Sequence, residues 1–256
     1  VKVNPLYTIL APALLLLAGF VPSASAADLL IDFGFTSGNP THGNPTASPD
    51  TNGNYWNNVT STGVATAIAG GTGLTLNNLI STTNVATGIN LTLAGPWNSS
   101  GIDFGGLNQA TPALGNFGIQ TATQDYYFTN TPATVTISGL NPASTYNLSM
   151  FGSRNTTETR ITQYTITDLT GNHLTTLQTS GTNLGGAGYN GNNSTIATLT
   201  AMQPNALGVL TLTVQPTVST FSYLGVLGIS EVPEASSSLL VCMGSLGLLA
   251  MRRRTA

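Results

Sequence analysis

Between residues 133 and 137 apolar and hydroxyl side chains alternate, with Ala133, Val135 and Ile137 on one side and Thr134 and Thr136 on the other. Successive side chains of a strand point to opposite faces, so this pattern predicts a strand with one buried face. Residues 146–151 alternate at first and then turn wholly apolar, and further short apolar stretches follow at 161–167, 174–178, 195–199, 209–214 and 221–229, separated by Gly and Asn clusters. Leu140-Asn141-Pro142 reads as a turn. Upstream, residues 29–33 form a short apolar strand, residues 34–54 are rich in turn formers including Pro40, Pro45 and Pro49, and weaker strand signals lie at 64–68, 89–93, 117–121 and 126–128. No stretch of this body combines a 3.6-residue apolar period with helix caps. Many short strands without intervening helices predict an all-β fold, an antiparallel β-sandwich, with the choice between jelly-roll and immunoglobulin-like topology left open.

The two ends have a different pattern. Lys2 precedes an apolar run at 6–20, and Ala24-Ser25-Ala26 follows as a small-residue cleavage site. This order is that of a signal peptide, with cleavage expected after Ala26 and a mature chain starting at Ala27. At the other end Val232-Pro233-Glu234 leads through a serine stretch into an apolar run at 239–251, then Arg252, Arg253 and Arg254. A helix over 239–251 would reach about 20 Å, short of the ~30 Å hydrocarbon core, so it suits a temporary membrane anchor better than a permanent one. The arginines would keep that end in the cytoplasm. Three segments follow: a signal helix at 1–26, a β-sandwich body at 27–231, and a tail at 232–256.

This tail resembles the PEP-CTERM sorting signal, although Ala235 stands where that family usually has a second proline. The resemblance implies processing by signal peptidase and an exosortase-like enzyme, transient membrane insertion, and a final place at the cell surface or outside it, in association with exopolysaccharide. A second resemblance rests on residues 48–58, including Tyr55 and Trp56, and on residues 151–160 with Tyr164. These look like exported β-sandwich modules of planctomycete and verrucomicrobial type. That resemblance implies a galactose-binding-like jelly roll and carries over no catalytic residue.

Charge narrows the functional classes. Between residues 27 and 231 the basic side chains are Arg154 and Arg160, against eight acidic ones, a net charge of −6. Such a surface offers no footprint for nucleic acid. The single cysteine, Cys242, lies in the tail, so the body has no thiol for a disulfide. His42 and His173 both sit in turn-like sequence, and neither a Gly-x-Ser-x-Gly elbow nor a His-Glu-x-x-His pair is present. No enzyme is expected, and a glycosidase pair among Asp32, Asp103 and Asp125 has no local sequence in its favour. The glycines at 186, 188 and 191 match a dinucleotide fingerprint but sit in an Asn-rich loop between expected strands, the wrong context for one. Residues 50–54 place oxygen-bearing side chains at alternate positions; an Asx-stabilised turn is expected there, with structural calcium as the alternative and no other cofactor. Along an extended strand Arg154, Glu158 and Arg160 would share a face, either as an Arg-Glu-Arg clamp or as guanidinium groups facing sugar hydroxyls or a uronate. Trp97 is expected in the core. Two expectations emerge: a non-catalytic surface or matrix protein, or a carbohydrate-binding module using Tyr55, Trp56 and Arg154.

Overall fold

The computed structural model describes residues 28–35, 42–61, 74–109 and 111–232. The signal segment with Ala24 and Ala26, the strand expected at 64–68, and the tail from Pro233 through Glu234 to Arg252, Arg253 and Arg254 lie outside the described residues. Among the described residues no helix is long and apolar enough to cross a membrane.

Alternation decides most elements. The strands are β1 (Asp28–Phe35), β2 (Asn57–Ser61), β3 (Leu74–Leu76), β4 (Asn90–Ala94), β5 (Asn98–Ser100), β6 (Tyr126–Thr129), β7 (Ala133–Ser138) and β8 (Thr145–Phe151). They continue with β9 (Arg160–Asp168), β10 (Gly171–Ser180), β11 (Ala197–Met202), β12 (Leu210–Val218), β13 (Ser222–Leu224) and β14 (Val226–Val232). In β7 the burial pattern follows the sequence pattern residue by residue: Ala133, Val135 and Ile137 are buried, and Thr134, Thr136 and Ser138 are half-buried.

These strands form a five-stranded sheet in the order β11-β8-β14-β1-β2, a six-stranded sheet β10-β9-β12-β7-β4-β3, and a small sheet β13-β6-β5. One hydrophobic cluster draws on both large sheets: Leu29, Ile31 and Phe33 of β1 and Leu148 and Met150 of β8 meet Leu91, Val135, Ile166 and Leu212 from the other sheet. Two layers thus share one core, and each such side chain contributes about 1.5–3 kcal/mol through burial. Among the described strands pairing is antiparallel except where β1 and β2 run parallel, with Asp32 opposite Asn58. The purely antiparallel expectation is corrected there.

A second cluster covers the outer face of the five-stranded sheet. Leu30, Phe151 and Val226 project from that sheet against Trp56, Leu107, Leu114, Phe117 and Ala122. The weak strand expected at 117–121 is in fact helical, made of a 3-10 segment Pro112–Phe117 and one turn of α1 (Gln120–Thr123). Pro112 starts the first segment where its missing N–H costs nothing, and Phe117 is held by the apolar cluster rather than by a neighbouring strand. The expected strand at 221–229 is two strands, divided at Gly225. That residue donates its N–H to Phe151 O at 2.8 Å and accepts the N–H of Phe33 at 2.8 Å, so the chain leaves the small sheet and enters the large one.

Candidate functional site

The small sheet carries the candidate site, because a strand sorts its neighbours by face. In β6 Tyr127 points inward, fully buried in the main core beside Phe33 and Trp97. Tyr126 and Phe128, one residue either side, therefore face the other way. On β13, Leu224 pairs with Tyr127 and joins the core, while Tyr223 pairs with Phe128 and lies on the outer face. Ser100 of β5 lies opposite Tyr126. The result is a cleft of about 200 Å³ floored by Tyr126, Phe128 and Tyr223 and walled by Phe104, Phe221, Arg154 and Arg160.

Both basic side chains of the body converge on this cleft. Arg154 Nη1 donates to the Tyr126 hydroxyl at 2.7 Å, and that hydroxyl donates onward to Phe104 O at 3.1 Å. The Arg154 guanidinium lies 5.6 Å from the centre of the Phe104 ring, and its Nε is buried without a hydrogen-bond partner. Arg160 has a carboxylate partner: its Nε donates to Glu158 Oε2 at 2.8 Å, and its Nη1 reaches the Tyr223 hydroxyl. It also lies over Phe221 at 5.2 Å and Tyr223 at 5.8 Å. The two cations therefore differ. Arg160 is neutralised by Glu158, which Ser219 also contacts, whereas among the described residues no carboxylate pairs with Arg154. Burial raises the phenol pKa of Tyr126 and of Tyr223, while the nearby guanidinium groups pull each back in part. Both remain neutral hydroxyls.

The other expected site residues fall elsewhere. Trp56 is 2 % exposed and packs in the outer cluster, its indole N–H donating to Asp50 Oδ2 at 2.8 Å, so its ring offers no face to a sugar. Tyr55 is half-buried beside it and does not line the cleft. Of the three residues read as a glycan site only Arg154 does so. Arg154 and Arg160 do share the cleft, but not as an Arg-Glu-Arg clamp, since residues 152–159 are a loop and of the two arginines Glu158 bonds only Arg160. Asp50 Oδ1 accepts the N–H groups of Asn52 at 2.8 Å and Asn54 at 2.9 Å, the hydrogen bonds of an Asx turn. Trp97 lies in the core, 1 % exposed.

The titratable residues considered for hydrolysis are dispersed or sealed. Asp103 lies 2.7 Å from His42 Nδ1, although the two are not aligned for a hydrogen bond. His173 and Asp168 meet at 3.2 Å beside the β9–β10 turn. Asp32 and Asp125 are each 1 % exposed. The aromatic floor escaped sequence reading, although the alternation of Tyr126-Tyr127-Phe128 and Phe221-Ser222-Tyr223 carried a usable signal: in each triplet the outer two residues share one face.

No family model and no curated protein matches the chain. Among solved structures it is similar to the Clostridium thermocellum endo-1,4-β-D-xylanase 10B CBM22-1–GH10 modules complexed with xylohexaose, at 13 % identity and a TM-score of 0.28, covering 54 % of this chain and 26 % of that one. It is also similar to the enzymatically active domain of tailspike protein 4 of bacteriophage CBA120, at 13 % identity and a TM-score of 0.26, covering 56 % of this chain and 18 % of that one. The match thus spans about a quarter or less of each of those chains.

Proposed function

We propose that the protein is an exported, non-catalytic surface or matrix protein whose sandwich holds an extracellular polysaccharide, with acidic sugar residues preferred, in the Arg154 cleft. The observation that carries the reading is the gathering of the body's two guanidinium groups over an aromatic floor, with Arg154 lacking a carboxylate partner among the described residues. Phe104 is exposed and Phe128 and Phe221 are half-buried, so these three rings supply apolar faces for the C–H side of a sugar, with the buried Tyr126 and Tyr223 beneath them. A planar guanidinium suits a carboxylate or a pair of hydroxyls. Among the described residues no carboxylate lines the cleft, which favours binding over the two-carboxylate chemistry of glycoside hydrolysis.

The finer architecture we infer is a jelly roll: from β7 to β14 the chain passes repeatedly between the two large sheets, and β1 and β14 lie side by side. Export and sorting rest on the sequence features of the two ends and on their resemblance to PEP-CTERM proteins. Mass spectrometry of the surface fraction from the natural host tests that part, with a chain beginning at Ala27 and lacking Arg252–Arg254 expected. A surface-located chain that still carries the three arginines would contradict it.

Glycan binding is tested by titrating the protein with uronic-acid and neutral oligosaccharides. Binding of the acidic series is expected, and Arg154→Gln should weaken it about tenfold to a hundredfold, the equivalent of the ~1.5–3 kcal/mol of a charged hydrogen bond. Equal binding by wild type and variant would remove the cleft from the account.

A further inference from the structure

Asp32 and Asp125 lie outside the cleft, and among the described residues no cationic side chain pairs with either. Asp32 is on the outer face of β1, the face shared with Leu30 and Gly34, beneath the covering layer. Asp125 comes from the segment just before β6, and its carboxylate lies directly over Gly34 and Gly43: a Cβ at either position would meet Asp125 Oδ2 within 2.4 Å. One strand face thus brings both carboxylates together, and the absence of a side chain at Gly34 makes room for the second. Each has one oxygen satisfied. Asp32 Oδ2 accepts the Thr46 N–H at 2.9 Å, and Asp125 Oδ2 accepts the Phe35 N–H at 2.9 Å. Asp32 Oδ1 and Asp125 Oδ1 are buried with no hydrogen-bond partner.

The surroundings add further oxygen. Thr46, 2 % exposed, holds its hydroxyl beside Asp32 without completing a hydrogen bond. Asn58, opposite Asp32 across the parallel β1–β2 pair, clasps the Thr46 backbone through its Oδ1 at 2.8 Å and its Nδ2 at 3.0 Å. The fully buried Tyr127 hydroxyl also has no partner, and after burial the charges of Asp125 and Asp32 are what raise its pKa, which places it within their field. Two buried anionic groups without a counter-charge are costly, and proteins meet that cost with a proton, a cationic side chain or a metal. No lysine exists in the body, and its two arginines are committed to the cleft.

We propose that Asp32 and Asp125, with the Thr46 hydroxyl, form a structural site for one hard divalent cation, calcium by its tolerance of irregular all-oxygen shells. The unpartnered oxygens supply anionic and neutral ligands of the kind calcium takes, and two carboxylates balance its charge. The site ties β1, the 42–46 segment and the entry to β6 together, and it is independent of the glycan reading.

The test is calcium titration of the full chain after chelation, read by calorimetry and by the thermal midpoint. One calcium per chain and a midpoint that rises with calcium are expected. Thr46→Val keeps the shape of the site and should lower calcium affinity by about tenfold or more. In the Asp32→Asn, Asp125→Asn double variant the calcium response should vanish. If that variant fails to fold, the wild-type titration still decides. A wild-type chain that binds no stoichiometric calcium and has the same midpoint with and without chelator would overturn the proposal and leave a shared proton as what holds the pair together.

Discussion

Trp56 shows what a single residue can conceal. An aromatic beside another aromatic in a turn-rich, Asn-rich stretch reads as a sugar platform, yet it is 2 % exposed and anchored by Asp50. The physical reason is that the outer face of the five-stranded sheet needed a cover, and an indole fills more of that cover than any other side chain while keeping a polar N–H for the turn. Trp56→Ala should therefore destabilise the fold by about 3–5 kcal/mol in denaturant titration, while protein that remains folded keeps its glycan affinity. Loss of binding in a variant of undiminished stability would restore the sequence reading. Arg154 is the converse case. Its residue type pointed to recognition, but its partner Tyr126 lies 28 positions away in sequence and could not be read from spacing.

At the scale of elements, alternation was legible wherever one face of a strand meets the core. Residues 133–137, 161–167 and 209–214 correspond to β7, β9 and β12 because hydroxyl residues there occupy a half-exposed face beside an apolar one. The reading failed where burial is two-sided or tertiary. Phe117 belongs to a helical cover packed on the sheet rather than to a strand within it, and Gly225 breaks an apolar run because two different strands need its backbone. Turns also rest on single residues. Asp168 Oδ1 closes the β9–β10 hairpin by accepting from Thr170 N at 2.7 Å, Thr170 Oγ1 at 2.8 Å and Gly171 N at 3.0 Å, while Oδ2 accepts from Gln203 N at 3.1 Å. Burial pushes its pKa up, but these hydrogen bonds and His173 outweigh it and leave the carboxyl below its usual range. A depressed folded-state value stabilises above the unfolded carboxylate pKa, and the gain is lost as pH falls through the folded value. Asp168→Asn should thus cost about 1 kcal/mol at neutral pH, a figure held down by nearby solvent, and the gap should close in acid. Stability curves of the two proteins against pH check this; a gap that stays constant into acid would assign Asp168 no ionic role.

For the whole molecule, the two-layer β architecture was legible because period-2 burial repeats along the chain, and the near absence of charge kept nucleic-acid partners out of the account. The cleft was not legible. Phe104, Tyr126, Arg154 and Phe221 come from four separate parts of the chain, and only the pairing of β6 with β13 and the path of the 152–159 loop bring them together. The buried Asp32–Asp125 pair was hidden in the same way, since its proximity depends on the empty face of Gly34. A body of net charge −6 that gathers both of its cations in one aromatic cleft is what supports the proposed binding of a carboxylate-bearing sugar there. The most direct test is a structure of the protein with a short uronic-acid oligosaccharide at saturating concentration. A sugar carboxylate on the Arg154 guanidinium, with a ring laid against Phe104 or Phe221, is the predicted result; an oligosaccharide bound elsewhere, or none bound at all, would contradict it.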